Sequence, residues 1–212
     1  MSDFYQTGVV ATFHQLGQVN LDKIEEELSW YAVERPIVLV LPSLYSELQG
    51  EALKGIVNHL KEVKYLREIV VTLGPASLKE FDHARRFFSA LPQKTTILWN
   101  SGKRVSAIYD AIETEGLPTG EAGKGRQVWM AYGYILSHQE FHTIALHDCD
   151  ILSYNRSLLA RLCYPVTNPN LDYDFCKGFY SRVTDRLHGR VTRMLVTPLV
   201  RSLIKIVGYH PL

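Results

Sequence analysis

The sequence predicts an α/β fold, a three-layer sandwich with a mostly parallel central sheet. Three observations carry this. Short strand-like runs recur at residues 37–41, 67–73, 94–99 and 143–146. Stretches with apolar residues three and four apart separate them, as amphipathic helices require. The first run, Ile-Val-Leu-Val-Leu, has no polar alternation, so it reads as a strand buried on both faces, the signature of a parallel sheet covered by helices on either side. Strands alternating with helices close by right-handed crossovers.

Each element has its own reason. Residues 21–32 place Leu21, Ile24, Leu28 and Tyr31 on one helical face, with Glu25, Glu26 and Glu27 mostly off it. Pro36 ends that segment before the first strand. Residues 46–60 read as a helix capped by Ser46. A second strand, residues 67–73, precedes a helix that starts at Ser77 and runs through Phe81, Ala84 and Phe88. The third strand is residues 94–99. Residues 113–125 are polar and glycine-rich, a loop, and a helix follows over 126–137. The fourth strand, 143–146, is followed by a short helix at 158–162. Residues 174–184 alternate enough to form a strand that residues 190–196 could pair with. Trp99, Trp129 and Cys149 are expected in the core.

The chain of 212 residues is long enough for one domain with a sizeable core, residues 1–212. Its formal net charge of +1 provides no basic stripe for nucleic acid. No run of about 18 apolar residues predicts a membrane span, and the first residues lack the basic and apolar regions of a signal peptide. Cys149, Cys163 and Cys176 are odd in number and unpaired by spacing, in keeping with reduced thiols and a cytoplasmic protein. They lack the spacing of a zinc site.

The fourth strand stops at Asp148-Cys149-Asp150. Buried carboxylates are costly, so packing does not explain this ending. By themselves the two residues read equally as solvated turn residues or as oxygen ligands for a hard divalent cation. Their place at a strand's C-terminal end is where open α/β sheets bind ligands. Residues 42–48, after the first strand, contain no glycine, which disfavours a dinucleotide-binding fold. Residues 120–125 lack P-loop spacing. Gly123-Lys124-Gly125 nevertheless precedes a helix, and Lys124 is either a phosphate-binding lysine or a solvated one. Gly189-Arg190-Val191-Thr192 either grips a carboxylate or phosphate or starts an exposed strand. His147 is either a donor that hydrogen-bonds a metal's ligand and tunes the site or, more simply, a histidine packed under a loop. Tyr45 reads equally as a base-stacking residue or a surface tyrosine.

In this order the pieces resemble the GT-A nucleotide-sugar glycosyltransferases, and within them the glucosyl-3-phosphoglycerate synthase and mannosylglycerate synthase group. The matching segments are residues 40–47, 123–125, 148–150, 175–182 and 189–192, the last followed by Pro198 and Leu199. The resemblance implies that Asp148 and Asp150 form the Asp-x-Asp motif, with Asp150 on the metal, Mg²⁺ or Mn²⁺, and Asp148 on the ribose, the sugar or the metal. It implies that Pro42, Leu44 and Glu47 hold the base and ribose, that Gly74 lines the same pocket, and that Lys124 stands near the nucleotide. Gly74-Pro-Ala-Ser77 departs from the family's acidic, serine-rich version. Gly189, Arg190, Val191 and Thr192 would bind the acceptor.

The implied reaction is metal-dependent transfer of a hexose from UDP-glucose or GDP-mannose to phosphoglycerate or glycerate, with retention of configuration, by a possible homodimer. Its product would be a compatible solute or a polysaccharide precursor. Family members are longer: beyond the Gly-Arg-Val-Thr element they continue into a further acceptor loop and supply a histidine to the metal, and His210 comes too early to be it. The chain is therefore expected to be truncated or a naturally short homologue lacking the C-terminal acceptor region. Two other readings stand beside this one. One is a non-catalytic nucleotide-sugar-binding domain. The other is a sugar nucleotidyltransferase, which would carry a glycine-rich basic loop where residues 42–48 have none.

Overall fold

A computed structural model of the protein describes residues 20–178 together with 195, 198, 199, 202 and 203. The chain divides into two compact units, Met1–Cys176 and Lys177–Leu212. In the second, the Ser202 hydroxyl donates to the Pro198 carbonyl at 2.9 Å, one helical turn back. The strands and numbered helices belong to the first.

There the order is α1 (Leu21–Tyr31), β1 (Ile37–Ser43), a 3₁₀ turn (Tyr45–Gln49), α2 (Glu51–Leu60), β2 (Leu66–Leu73), α3 (Leu78–Phe88), β3 (Lys94–Trp99), α4 (Lys103–Thr114), α5 (Lys124–His138), β4 (Thr143–Leu146) and α6 (Arg156–Thr167). The four strands form a sheet in the order β3-β2-β1-β4, and every pairing is parallel. Val40 of β1 sits between Val70 of β2 and Leu146 of β4. The chain thus moves outward from β1 to β3 and then returns to the other side of β1. That reversal opens a crevice between the C-terminal ends of β1 and β4, the usual ligand position in an open α/β sheet.

Every residue of β1 is buried, as its unbroken apolar run predicts. On one face Leu39, Leu41, Ile69, Val71 and Leu73 pack against α1, α2, α3 and α6 through residues such as Leu28, Leu53, Ile56, Phe88 and Leu159. On the other, Val38, Val40 and Val70 meet Ala131 and Ile135 of α5. α4 lies against α5 through Val105, Tyr109 and Met130. Each layer follows from burying the apolar stripe of a helix or the face of a strand. Ser77 caps α3 in a capping box: the Glu80 carboxylate accepts from the Ser77 N–H at 2.7 Å.

Several sequence expectations need correction. The segment after β1 is not one helix from Ser46. It is a 3₁₀ turn, and Gly50 in an extended conformation separates it from α2. α4 lies where no element was expected, although Val105, Ile108, Tyr109 and Ile112 have helical spacing. α5 begins at Lys124, so the basic residue is its first and not part of the loop. α6 runs from Arg156 through Pro165 to Thr167, longer than residues 158–162. Trp129 is not a core residue; it is 49% exposed. It lies about 200° around α5 from Ala131, which faces the sheet. Trp99 is half-buried and stacks on Phe81 at 4.7 Å, and Cys149 is buried. Residues 174–178 form no strand, and Leu195 is in a helical turn. The rest of the expected pair, 174–184 and 190–196, lies outside the described residues.

Candidate functional site

The site assembles at the C-terminal ends of the strands. β1 carries Pro42, which is buried within the strand opposite Thr72 and not in the following loop as expected. Pro42 falls beyond the last β1–β4 pair, so its missing N–H leaves that ladder intact. Leu44 follows at the start of the 3₁₀ turn, half-exposed. Its N–H donates to the Glu47 carboxylate at 2.9 Å, which fixes the turn. The Gly74 N–H, just past β2, donates to the Ser43 carbonyl at 2.7 Å. A methyl group at Gly74 would lie 2.8 Å from Leu44 Cδ2 and 3.4 Å from Gln127 Nε2. Leu44, Gly74 and Gln127 are therefore three neighbours from the ends of β1, β2 and the first turn of α5. Tyr45 turns away to share a hydrogen bond with His83 at 3.1 Å.

The ends of β4 and α5 are charged. The His147 N–H donates to the Val40 carbonyl at 3.1 Å, carrying the β1–β4 pairing one residue past Leu146. Asp148 then forms an ion pair with Lys124, both partly exposed. Asp150 is exposed and has no hydrogen bond or ion pair among the described residues. Among the described residues no side chain caps the first turn of α5, whose start is Gly123 and Lys124. That end presents backbone N–H groups and the positive pole of a helix dipole, beside a lysine. The combination attracts phosphate.

His147 is buried edge-on to Tyr154 at 5.5 Å, and burial pushes its imidazole down to about 4 against the opposing pull of Asp148. It is neutral at pH 7. Neither ring nitrogen has a hydrogen-bond partner among the described residues, so it is a histidine packed under the loop. Burial drives the Cys149 thiol far above its ordinary range. It offers no thiolate nucleophile.

The donor set suits a hard cation. Asp148 and Asp150 offer carboxylate oxygens at one strand end, and Asp150 is free of competing cations among the described residues. Among those residues no group of three His, Cys, Asp or Glu stands together to hold a metal. Two carboxylates leave the remaining positions to water and phosphate oxygens, the pattern preferred by Mg²⁺. Gly189, Arg190, Val191, Thr192 and His210 lie outside the described residues.

Sequence reading missed a set of polar residues that ties this site together. Asn100, after β3, bonds the Leu73 carbonyl through its backbone N–H at 3.1 Å and its side-chain amide at 3.0 Å. Ser101 holds both polar groups of the Ala76 backbone, at 3.1 and 2.9 Å. Tyr109 of α4 reaches Asn100 and the Arg126 carbonyl. The helical spacing of α4 is the one signal that would have pointed to Tyr109.

No family model matches the chain. It is 45% identical over 208 residues to a glucosyl-3-phosphoglycerate synthase of Persephonella marina, covering 98% of this chain and 52% of that protein. It is 33% identical over 205 residues to a glucosyl-3-phosphoglycerate synthase of Methanococcoides burtonii, covering 95% and 50%. The chain thus spans about half the length of the curated relatives it matches. Among solved structures it is similar to glucosyl-3-phosphoglycerate synthase from Mycobacterium tuberculosis in complex with Mn²⁺, UDP-glucose and phosphoglyceric acid. There the TM-score is 0.56 at 19% identity, covering 93% of this chain and 58% of that one. Over about half of their length, the chain is a homologue of the glucosyl-3-phosphoglycerate synthases, with the α/β architecture of a GT-A fold.

Proposed function

We propose that this chain forms the donor site of a glycosyltransferase that moves glucose from UDP-glucose to phosphoglycerate. The observation that carries the reading is the set of charges at the β1–β4 crevice: Lys124 at a helix start, paired with Asp148, beside Asp150, which is unpaired among the described residues. The relatives bear the name of that activity, and the similar structure holds Mn²⁺, UDP-glucose and phosphoglyceric acid.

In this reading Leu44 and Gly74 form the flat wall on which base and ribose rest, and Glu47 keeps the turn after Pro42 in place. Lys124 leaves Asp148 and places its charge on the donor's diphosphate, helped by the backbone N–H groups of α5. Asp148 is then free for the ribose, the sugar or the metal, and Asp150 is the principal metal ligand. Mn²⁺, or Mg²⁺ in its place, would offset the charge that develops on the leaving diphosphate. Lys124 contributes in the same sense from the protein side, as a preorganised charge. Cys149 has no nucleophilic part. Gly189, Arg190, Val191 and Thr192 receive the acceptor's anionic group.

Retention of configuration, a homodimer and a cytoplasmic setting belong to the same reading, the last in keeping with three free cysteines. GDP-mannose and glycerate are the competing donor and acceptor. Among the described residues no helix is long and apolar enough to cross a membrane.

Calorimetry with UDP-glucose and GDP-mannose, with and without Mn²⁺, tests the donor site. Mn²⁺-dependent binding of UDP-glucose that is lost in Asp150→Ala is expected; a folded chain that binds neither donor overturns the reading. Transfer to phosphoglycerate is then assayed directly. A second reading, donor binding without turnover, is favoured by a metal site with two carboxylates among the described residues. Binding with no product under saturating acceptor would select it.

A further inference from the structure

Tyr109 is buried, and its hydroxyl lies 3.0 Å from Asn100 Oδ1 and 3.3 Å from the Arg126 carbonyl. The side-chain amide of Asn100 is committed to the Leu73 and Leu98 carbonyls at 3.0 and 3.2 Å. With its donors occupied, Asn100 presents only an acceptor to Tyr109, so the single phenolic hydrogen is shared between two acceptors in a three-centre bond. The Arg126 guanidinium stands 4.6 Å over the Tyr109 ring and reaches the Gly120 carbonyl at 3.4 Å. Leu73 directly precedes Gly74, and Arg126 is two residues after Lys124. One buried side chain on α4 therefore joins the Gly74 wall to the first turn of α5.

We propose that Tyr109 is a positioning residue: its hydroxyl holds the first turn of α5, and with it Lys124, at a set distance from the Gly74 wall. This rests on the donor-site reading above. Packing alone would need only the ring, which touches Val105 and Met130 in the same small cluster. The hydroxyl is buried at a desolvation cost and is justified by the two segments it joins. Tyr134 provides a built-in comparison. It too anchors α5 by its hydroxyl, part-buried and bonded to Glu68 at 3.0 Å, but ten residues further along, away from Lys124.

The test compares Tyr109→Phe with Tyr134→Phe by amide hydrogen exchange, by calorimetry of UDP-glucose with Mn²⁺, and by thermal melting. Exchange at residues 127–130, whose N–H groups bond back into the first turn of α5, is expected to accelerate in Tyr109→Phe and not in Tyr134→Phe. UDP-glucose binding is expected to weaken about five-fold in Tyr109→Phe, the loss of one neutral hydrogen bond, and to be unchanged in Tyr134→Phe. Unchanged exchange at 127–130, or equal loss of binding in the two variants, overturns the proposal. If the parent chain binds no donor, the functional reading fails, and exchange at 127–130 alone decides the positioning role.

Discussion

Glu68 is the one fully buried carboxylate among the described residues, and its removal has a calculable cost. It sits in β2, 1% exposed, on the α5 side of the sheet. Its Oε1 accepts from Thr96 Oγ1 at 2.6 Å and from Tyr134 at 3.0 Å, and its Oε2 lies 2.7 Å from Lys94 Nζ, close enough for an ion pair but off hydrogen-bond geometry. Removing one partner of a fully buried pair costs about 3–5 kcal/mol. Two features reduce that here. Lys94 is 59% exposed and returns to water, and the Thr96 and Tyr134 hydroxyls, 3.2 Å apart, can bond each other. What remains is the loss of hydrogen bonds to a charged acceptor, together with a small cavity. Glu68→Ala should therefore cost about 2–3 kcal/mol, or about 4–12 °C in melting temperature for a chain of this size. Glu68→Gln keeps the two hydroxyl contacts and loses the Lys94 charge pair, at about 1 kcal/mol. Urea unfolding at pH 7, followed by circular dichroism, measures both. Two variants within about 0.5 kcal/mol of the parent, or Glu68→Gln as damaging as Glu68→Ala, would refute this account of the cluster.

The same residue sets a pH dependence. Burial opposes ionisation of Glu68, yet the Lys94 ammonium beside it and the hydrogen bonds from Thr96 and Tyr134 outweigh it and hold the carboxyl below its ordinary 4.5. Between the folded and unfolded values the unfolded chain binds more protons, so stability rises with pH there. This share of stability is complete above the unfolded value near 4.5 and is lost as pH falls through the lower folded value. Acid titration of the unfolding free energy should show the loss in the parent and not in Glu68→Gln.

Other perturbations probe the site and its supports. Lys124→Met should change stability by less than about 1 kcal/mol, because its ion pair with Asp148 is exposed. It should weaken UDP-glucose binding about ten-fold, the loss of one charge-assisted contact to phosphate; equal binding in calorimetry would remove Lys124 from the donor site. Gly102→Ala should destabilise by about 1–3 kcal/mol, since its new methyl would lie 2.6 Å from the Trp99 ring. That ring cannot yield easily: it stacks on Phe81, and its indole N–H donates to the Ala76 carbonyl at 2.9 Å. A melting temperature equal to the parent's would show that the Trp99 loop is softer than its contacts imply.

Much of this fold was legible because burial leaves a local trace. The uninterrupted run of β1, the Ser77–Glu80 start of α3 and the two carboxylates that stop β4 are each read within a few residues of chain. The misses were of three kinds. Gly50 divides a segment whose apolar spacing looked continuous, and α4 is polar enough, with Ile108 47% exposed, to escape notice. Trp129 was misplaced because an aromatic residue suggests the core, while the stripe of α5 that faces inward runs through Gln127, Ala131 and Ile135.

The sequence by itself determined the α/β class, the strands and most helices, and the chemistry offered by Asp148, Asp150 and Lys124. Periods of two and 3.6 residues are local properties of a chain that must bury one face of each element. Only the tertiary structure decided that Lys124 meets Asp148 across 24 residues, that Gly74 touches Leu44 and Gln127, and that Tyr109 links β3 to α5. Those contacts depend on sheet order and on the return of the chain across β1, which bring together strand ends distant in sequence. Local periodicity carries no record of which ends will meet.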